Sequence, residues 1–315
     1  MNKMMGENQM NGDEKKKRRF FFRHGRRKRL EYIALLPSLV TLINGVCGFA
    51  AIGLAAKGPD HFAMAGVMIY IAMVADMLDG RLARMSHSTS SFGGQLDSLC
   101  DMLSFGAAPA FLSFKLLMGS LPIILSPSTE LLGDFVERLI WLASAVYLCC
   151  AAVRLARFNV ENTDDETSHM SFSGLPSPAA ASVVASMVIL YQHLTGDSAK
   201  STLLFTAGRW IIIHALPFVM LWLAGLMVSR IRYPHVVNQY LRGKRPTTHL
   251  MWALVLGGMI WLCKLQMTMV VVSVGFAASG FVKWLWYHTL FGRLLGHKPA
   301  MTAAGVHTAH PESHL

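Results

Sequence analysis

Four aspartates stand at spacings that build a cation site inside an otherwise apolar chain. They are Asp76 and Asp79, three apart, and Asp97 and Asp101, four apart. On a helix each pair projects from one face. An unpaired Asp at the centre of a membrane helix costs about 2.5–3.5 kcal/mol, so four deep ones cost on the order of 10 kcal/mol unless something neutralises them. Two divalent cations cancel four negative charges. Hard carboxylate oxygens suit magnesium or manganese.

The residues between the aspartates fit the same chemistry. The stretch reads Asp76-x2-Asp79-Gly80-x2-Ala83-Arg84-x8-Gly93-x3-Asp97-x3-Asp101. Two cations about 4 Å apart clamp a diphosphate and the charge that develops on it. Gly80 and Ala83 lack bulk, so a nucleotide can approach the helix closely. Gly93 clears the facing helix, and Arg84 can pair with a phosphate oxygen. Asp101 can serve both a metal and an acceptor hydroxyl, as general base. The plainer reading, in which the acids merely pair with Arg81 and Arg84 at a solvated helix end, accounts for one pair but not for eight fixed positions in 26 residues.

This signature resembles that of the CDP-alcohol phosphatidyltransferase family, and it fits at every defining position. The resemblance implies a core of six transmembrane helices, a dinuclear metal site and displacement of CMP from a CDP-linked lipid by an alcohol. Further stretches look like the integral-membrane phosphatidylserine synthase branch of that family. They are LPSLVTLINGVCGFAAI (36–52), SFGAAPA (104–110), RLARFNV (154–160), FSGLPSPAAA (172–181) and LMVSRIRYP (226–234). The likeness runs from residue 30 to about 235 and implies CDP-diacylglycerol and L-serine as substrates, and a homodimer. A zwitterionic acceptor needs a cation for its carboxylate and oxygens for its ammonium. Arg154, Arg157, Asn159, Thr41 and Asn44 supply both kinds of group. Each also has a plainer role: Asn44 as a packing hydrogen-bonder, Arg154 and Arg157 as anchors, Asn159 as a helix end and Ser104 back-bonding within its own helix.

The elements that must position these residues are membrane helices. The chain has 315 residues, 53% hydrophobic and 15% charged, well under the quarter usual in soluble domains. Apolar runs long enough to cross a bilayer recur along it, at 33–56, 62–81, 96–118, 137–157, 176–195, 209–229, 249–265 and 267–288, with the last two divided near Lys264. The expected fold is all-α and polytopic: a six-helix core plus about two extra C-terminal spans. The expected divisions are a basic, disordered tail (1–30), the catalytic domain (31–235), two added helices (236–292) and a disordered C-terminal tail (293–315).

Charge sets the expected topology. The first 30 residues hold 11 Lys and Arg against three acids, which holds the N-terminus in the cytoplasm and suits anionic lipid. The membrane body argues against nucleic acid as a partner. Eight spans then place both termini in the cytoplasm, together with the loop bearing Arg230, Arg232, Arg242, Lys244 and Arg245. The active site faces the same side, in a bacterial cytoplasmic membrane. The five cysteines lie in apolar runs without a C-x-x-C pair and read as packing residues.

The expected reaction is therefore transfer of a phosphatidyl group from CDP-diacylglycerol to the hydroxyl of L-serine, giving phosphatidylserine and CMP. It proceeds by single, metal-assisted displacement, since no residue presents itself as a covalent nucleophile. The nearest alternative keeps the chemistry and changes the acceptor to glycerol 3-phosphate, inositol phosphate or choline. The acids Glu161, Asp164, Asp165 and Glu166 beyond the arginines disfavour a phosphorylated one. A cation transporter is the alternative of another class, but transporters place such acids near the midplane on broken or repeated helices.

Overall fold

A computed structural model describes residues 38–86, 91–124, 130–164, 172–196, 203–233 and 246–286. The side chains of 83–86, 91, 122–124, 130–132, 161–164, 172–173, 204, 232–233 and 246–263 are outside that description. Both expected tails also lie outside the described residues. Helix α1 spans Ser38–Lys57, α2 Phe62–Ser86 and α3 Ser91–Asp101. A π-helical segment, Met102–Ala107, joins α3 to α4, Ala108–Ile124. Then come α5, Glu130–Asp164, α6, Ser177–Gly196, α7, Leu203–Val228, and α8, Pro246–Trp286.

Seven stretches of the described residues are long and apolar enough to cross a membrane. The chain is an integral, multi-pass membrane protein. The first six stretches overlay the first six expected spans, with α3, the π segment and α4 forming one crossing, Phe92–Leu121. The seventh, Lys264–Trp286, is the second half of α8. That helix breaks at Lys264 (φ 62°, ψ 158°), where the sequence divides its last two spans. A lysine in this backbone region is uncommon and marks a true interruption of the helix.

Helix α6 is the central post. Its Ala180, Ala181, Val184, Ala185 and Val188 are fully buried, and it packs most extensively on α2, α7 and α8. Alanine and serine let neighbouring backbones come close where lipid supplies no hydrophobic drive between helices. Tyr70 of α2 ties the group together, donating to Ser182 O of α6 at 3.0 Å and lying 3.4 Å from Ser273 Oγ of α8. Exposed Val46, Phe49, Trp141, Phe218 and Val271 form the outward apolar surface that lipid solvates.

Two close approaches fix the end of the bundle that carries the aspartates. At Gly48, a Cβ would fall 2.7 Å from Ser104 Cα and against Ser104 Oγ as well, so α1 meets the π segment backbone to backbone. Gly48→Ala should therefore destabilise the protein by about 1–3 kcal/mol, as overpacking does. A lowered melting temperature in detergent, with reduced activity, checks this. The second approach is at Gly174 (φ +89°), where a Cβ would run into Met227 O. Beside it Phe172–Ser173 pairs antiparallel with Arg232–Tyr233, and Leu175 N–H donates to Leu226 O at 3.0 Å. The start of α6 is thereby pinned to the exit of α7.

Candidate active site

Helix register delivers the acids to one place. Asp76 and Asp79 lie on the late turns of α2, and Asp97 and Asp101 on α3. Carboxylate oxygens of Asp76, Asp97 and Asp101 all lie within 4.8 Å of one another. At an effective dielectric of about 20, two full charges at that distance repel by about 3 kcal/mol. Asp79 stands beside this trio, interacting electrostatically with Asp76 and Asp97 and accepting a hydrogen bond from Thr41. It is 4% exposed and Asp101 9% exposed, while Asp76 and Asp97 are half-buried.

The donor set fits a divalent cation. Among the described residues, the buried oxygens Asp79 Oδ2 and Asp97 Oδ1 have no hydrogen-bond partner. A cation bound there would satisfy both atoms. Carboxylate oxygens in such a group suit magnesium, calcium or manganese.

Other elements hold and balance the acids. Asn44 of α1, fully buried (0%), donates from Nδ2 to Asp101 Oδ1 at 2.9 Å. Its backbone carbonyl accepts from Ser104 Oγ at 2.8 Å. Ser104 thus bonds across to α1 rather than back into its own helix. Arg154 of α5 interacts electrostatically with Asp101 and Asp76 and donates from Nη1 to Ser177 Oγ at 2.7 Å. Its buried Nε has no partner among the described residues.

The remaining expected site residues are distributed differently. Asn159 is exposed and accepts from Ser98 Oγ through Oδ1 at 3.0 Å, next to Asp97. Helix α5 continues past it to Asp164, so Asn159 does not end the helix. Arg157 is half-buried on the same helix. Gly80 faces open space, since a Cβ there would meet nothing within 4 Å. Gly93 is half-buried near the start of α3. The side chains of Ala83 and Arg84 lie outside the described residues. Thr41 and Asn44 bond the aspartates themselves, and the buried Asn44 Oδ1 has no hydrogen-bond partner among the described residues.

Three participants escape a reading by motif. Ser177, which aims Arg154, sits within the quoted FSGLPSPAAA stretch but at no position with a chemical signature. Ser98 lies between two aspartates. Tyr147, whose hydroxyl donates to Phe105 O in the π segment after Asp101 at 3.1 Å, is seven residues, two helical turns, before Arg154 and shares its face. That periodicity was the signal available for it.

Residues 34–221 match the CDP-alcohol phosphatidyltransferase family, and the chain belongs to that family. Over 205 residues it is 35% identical to a CDP-diacylglycerol–serine O-phosphatidyltransferase of Helicobacter pylori (strain ATCC 700392 / 26695), covering 64% of this chain and 72% of the relative. An enzyme of the same name from Mycobacterium leprae is 30% identical over 212 residues, 65% of this chain and 60% of its own. A third, from Bacillus subtilis, is 28% identical over 200 residues, 64% of this chain and 90% of its own.

Proposed function

We propose that this protein transfers the phosphatidyl group of CDP-diacylglycerol to the hydroxyl of L-serine, producing phosphatidylserine and CMP. The observation that carries the acceptor assignment is Arg154. A guanidinium with an unpartnered buried Nε stands in electrostatic reach of Asp101 and Asp76. It puts a carboxylate-binding cation beside the base that the hydroxyl needs. The relatives that bear the serine transferase name support the same reading.

The chain's own residues divide the work. Asp101, oriented by Asn44, takes the proton from the serine hydroxyl. The freed oxygen attacks the lipid-side phosphorus, the bond from that phosphorus to the CMP oxygen breaks, and CMP leaves with the electron pair. Arg154, aimed by Ser177, holds the serine carboxylate, with Arg157 and Asn159 completing the acceptor side. Thr41 holds Asp79. Gly80 and Gly93 leave room for the cytidine diphosphate, and the sequence pattern assigns Ala83 to the same clearance and Arg84 to a phosphate oxygen. Two magnesium or manganese ions, held by Asp76, Asp79, Asp97 and Asp101, supply charge neutralisation at the diphosphate when bound.

The site opens to the cytosol of a bacterial cytoplasmic membrane, with both termini on that side. The basic residues at 15–19 and 26–29, and those after span six, support this orientation through the positive-inside bias. Residues 31–235 form the catalytic domain, with 236–292 added beyond it and basic and polar tails at the ends. The working form is a homodimer, which light scattering of the purified protein checks.

The deciding experiment is CMP release from labelled CDP-diacylglycerol in detergent, with serine, glycerol 3-phosphate, inositol phosphate and choline offered separately. Serine-dependent release is expected. Release driven by another alcohol alone would overturn the acceptor, and none with any alcohol would favour a transporter. Asp76→Asn and Asp79→Asn each remove a ligand charge and should raise the manganese concentration for half-maximal activity by about 10-fold or more, on the scale of a lost charge-assisted contact. A titration of activity against manganese checks this.

A further inference from the structure

Pro109 stands four residues after Phe105 and carries no N–H, so the Phe105 carbonyl loses the donor that an α-helix would give it. The proline ring also crowds that carbonyl. The helix is widened here into the π segment Met102–Ala107, a form frequent at functional sites. A donor from another helix fills the vacancy: Tyr147 OH of α5 reaches Phe105 O at 3.1 Å. Tyr147 and Phe105 are both 0% exposed, so no water can replace that hydroxyl cheaply.

The segment secured in this way begins at the residue after Asp101. Asp101 is therefore held from two sides. From α1, Asn44 grips its carboxylate and also accepts from Ser104 within the π segment. From α5, Tyr147 fixes the backbone of the same segment. Tyr147 precedes Arg154 by two turns on the same face of α5, so one helix carries both the hydroxyl that meets the π segment and the cation beside the acids.

We propose that Tyr147 is a positioning residue for Asp101, acting through the Phe105 carbonyl and the π segment. The proposal rests on the reading of Asp101 as metal ligand and general base. Without the hydroxyl, the Phe105 carbonyl turns to find another donor, the widened turn relaxes, and Asp101 at its edge shifts. A misplacement of about 1 Å can cost about 10²-fold in rate, and a partial shift correspondingly less.

The test uses the full-length protein in detergent, with Tyr147→Phe keeping the buried ring. The expected result is a fall in kcat of about 10-fold, with the KM values for CDP-diacylglycerol and serine each within about twofold of the parent. Manganese binding without substrates, read by electron paramagnetic resonance, should weaken by about threefold or more, because a ligand is misaimed. Pro109→Ala, which returns an N–H four residues from Phe105 and lets the turn narrow, should weaken manganese binding in the same direction. Unchanged kcat and manganese affinity in Tyr147→Phe would overturn the proposal, as would a loss confined to the serine KM. Should Tyr147→Phe fail to accumulate, Pro109→Ala decides: manganese affinity equal to the parent's overturns the proposal, and weakening of about threefold or more supports it. If the parent itself gives no serine-dependent CMP release, the acceptor assignment fails while the manganese measurement still judges Tyr147.

Discussion

Asp101→Asn should lower kcat for serine-dependent CMP release by about 10²–10⁴-fold, the usual cost of losing a general base. Binding of CDP-diacylglycerol should persist. The substitution is nearly isosteric, and the asparagine oxygen can still accept from Asn44 Nδ2, which lies 2.9 Å from the present carboxylate. What disappears is the proton acceptor and one negative charge of the trio with Asp76 and Asp97. The measurement is turnover at saturating manganese, so that weaker metal binding does not disguise itself as lost chemistry. Near-full CMP release under that condition would remove Asp101 from the role of base and leave it a metal ligand.

Arg154→Ala should raise the serine KM steeply while leaving the KM for CDP-diacylglycerol nearly unchanged. Truncating one partner of a buried, hydrogen-bonded charge pair costs about 2–5 kcal/mol. That corresponds to a change of roughly 30-fold or more in affinity. Arg154 is already held by Ser177 and loses no rotamer freedom when the acceptor arrives, which favours a large effect. Ser177→Ala should give a smaller change of the same kind, since the guanidinium remains but is no longer aimed. Steady-state kinetics with each substrate varied in turn separate the two KM values. Unchanged serine kinetics in Arg154→Ala would leave the carboxylate without its proposed partner, and loss of the protein from the membrane would mark Arg154 as an anchor.

Much of this site was legible from local spacing. Separations of three and four residues between aspartates translate directly into helix faces, because a helix fixes its own i, i+3 and i+4 neighbours. Apolar runs translate as directly into spans, because a bilayer demands a set length of apolar helix. The division near Lys264 was legible for the same reason, as a charge between two apolar runs. The roles of Thr41 and Asn44 were legible only in part. They are polar residues in an apolar helix, which marks them as partners to something, but nothing local says whether that partner is a substrate or an aspartate.

The sequence by itself determined a helical membrane chain with four acids on two neighbouring helices and a cation-bearing helix later on. Tertiary structure decided which of those acids meet and what holds them. The Asn44–Asp101 bond joins residues 57 apart, and Tyr147 reaches Phe105 across 42. Such pairings depend on how helices cross and how closely small residues such as Gly48 let them approach. They also depend on a proline whose effect is felt one turn back, where a carbonyl without a donor becomes the attachment point for another helix. Local periodicity places a side chain on a face, but only the packing of that face against a partner selects the atom it touches.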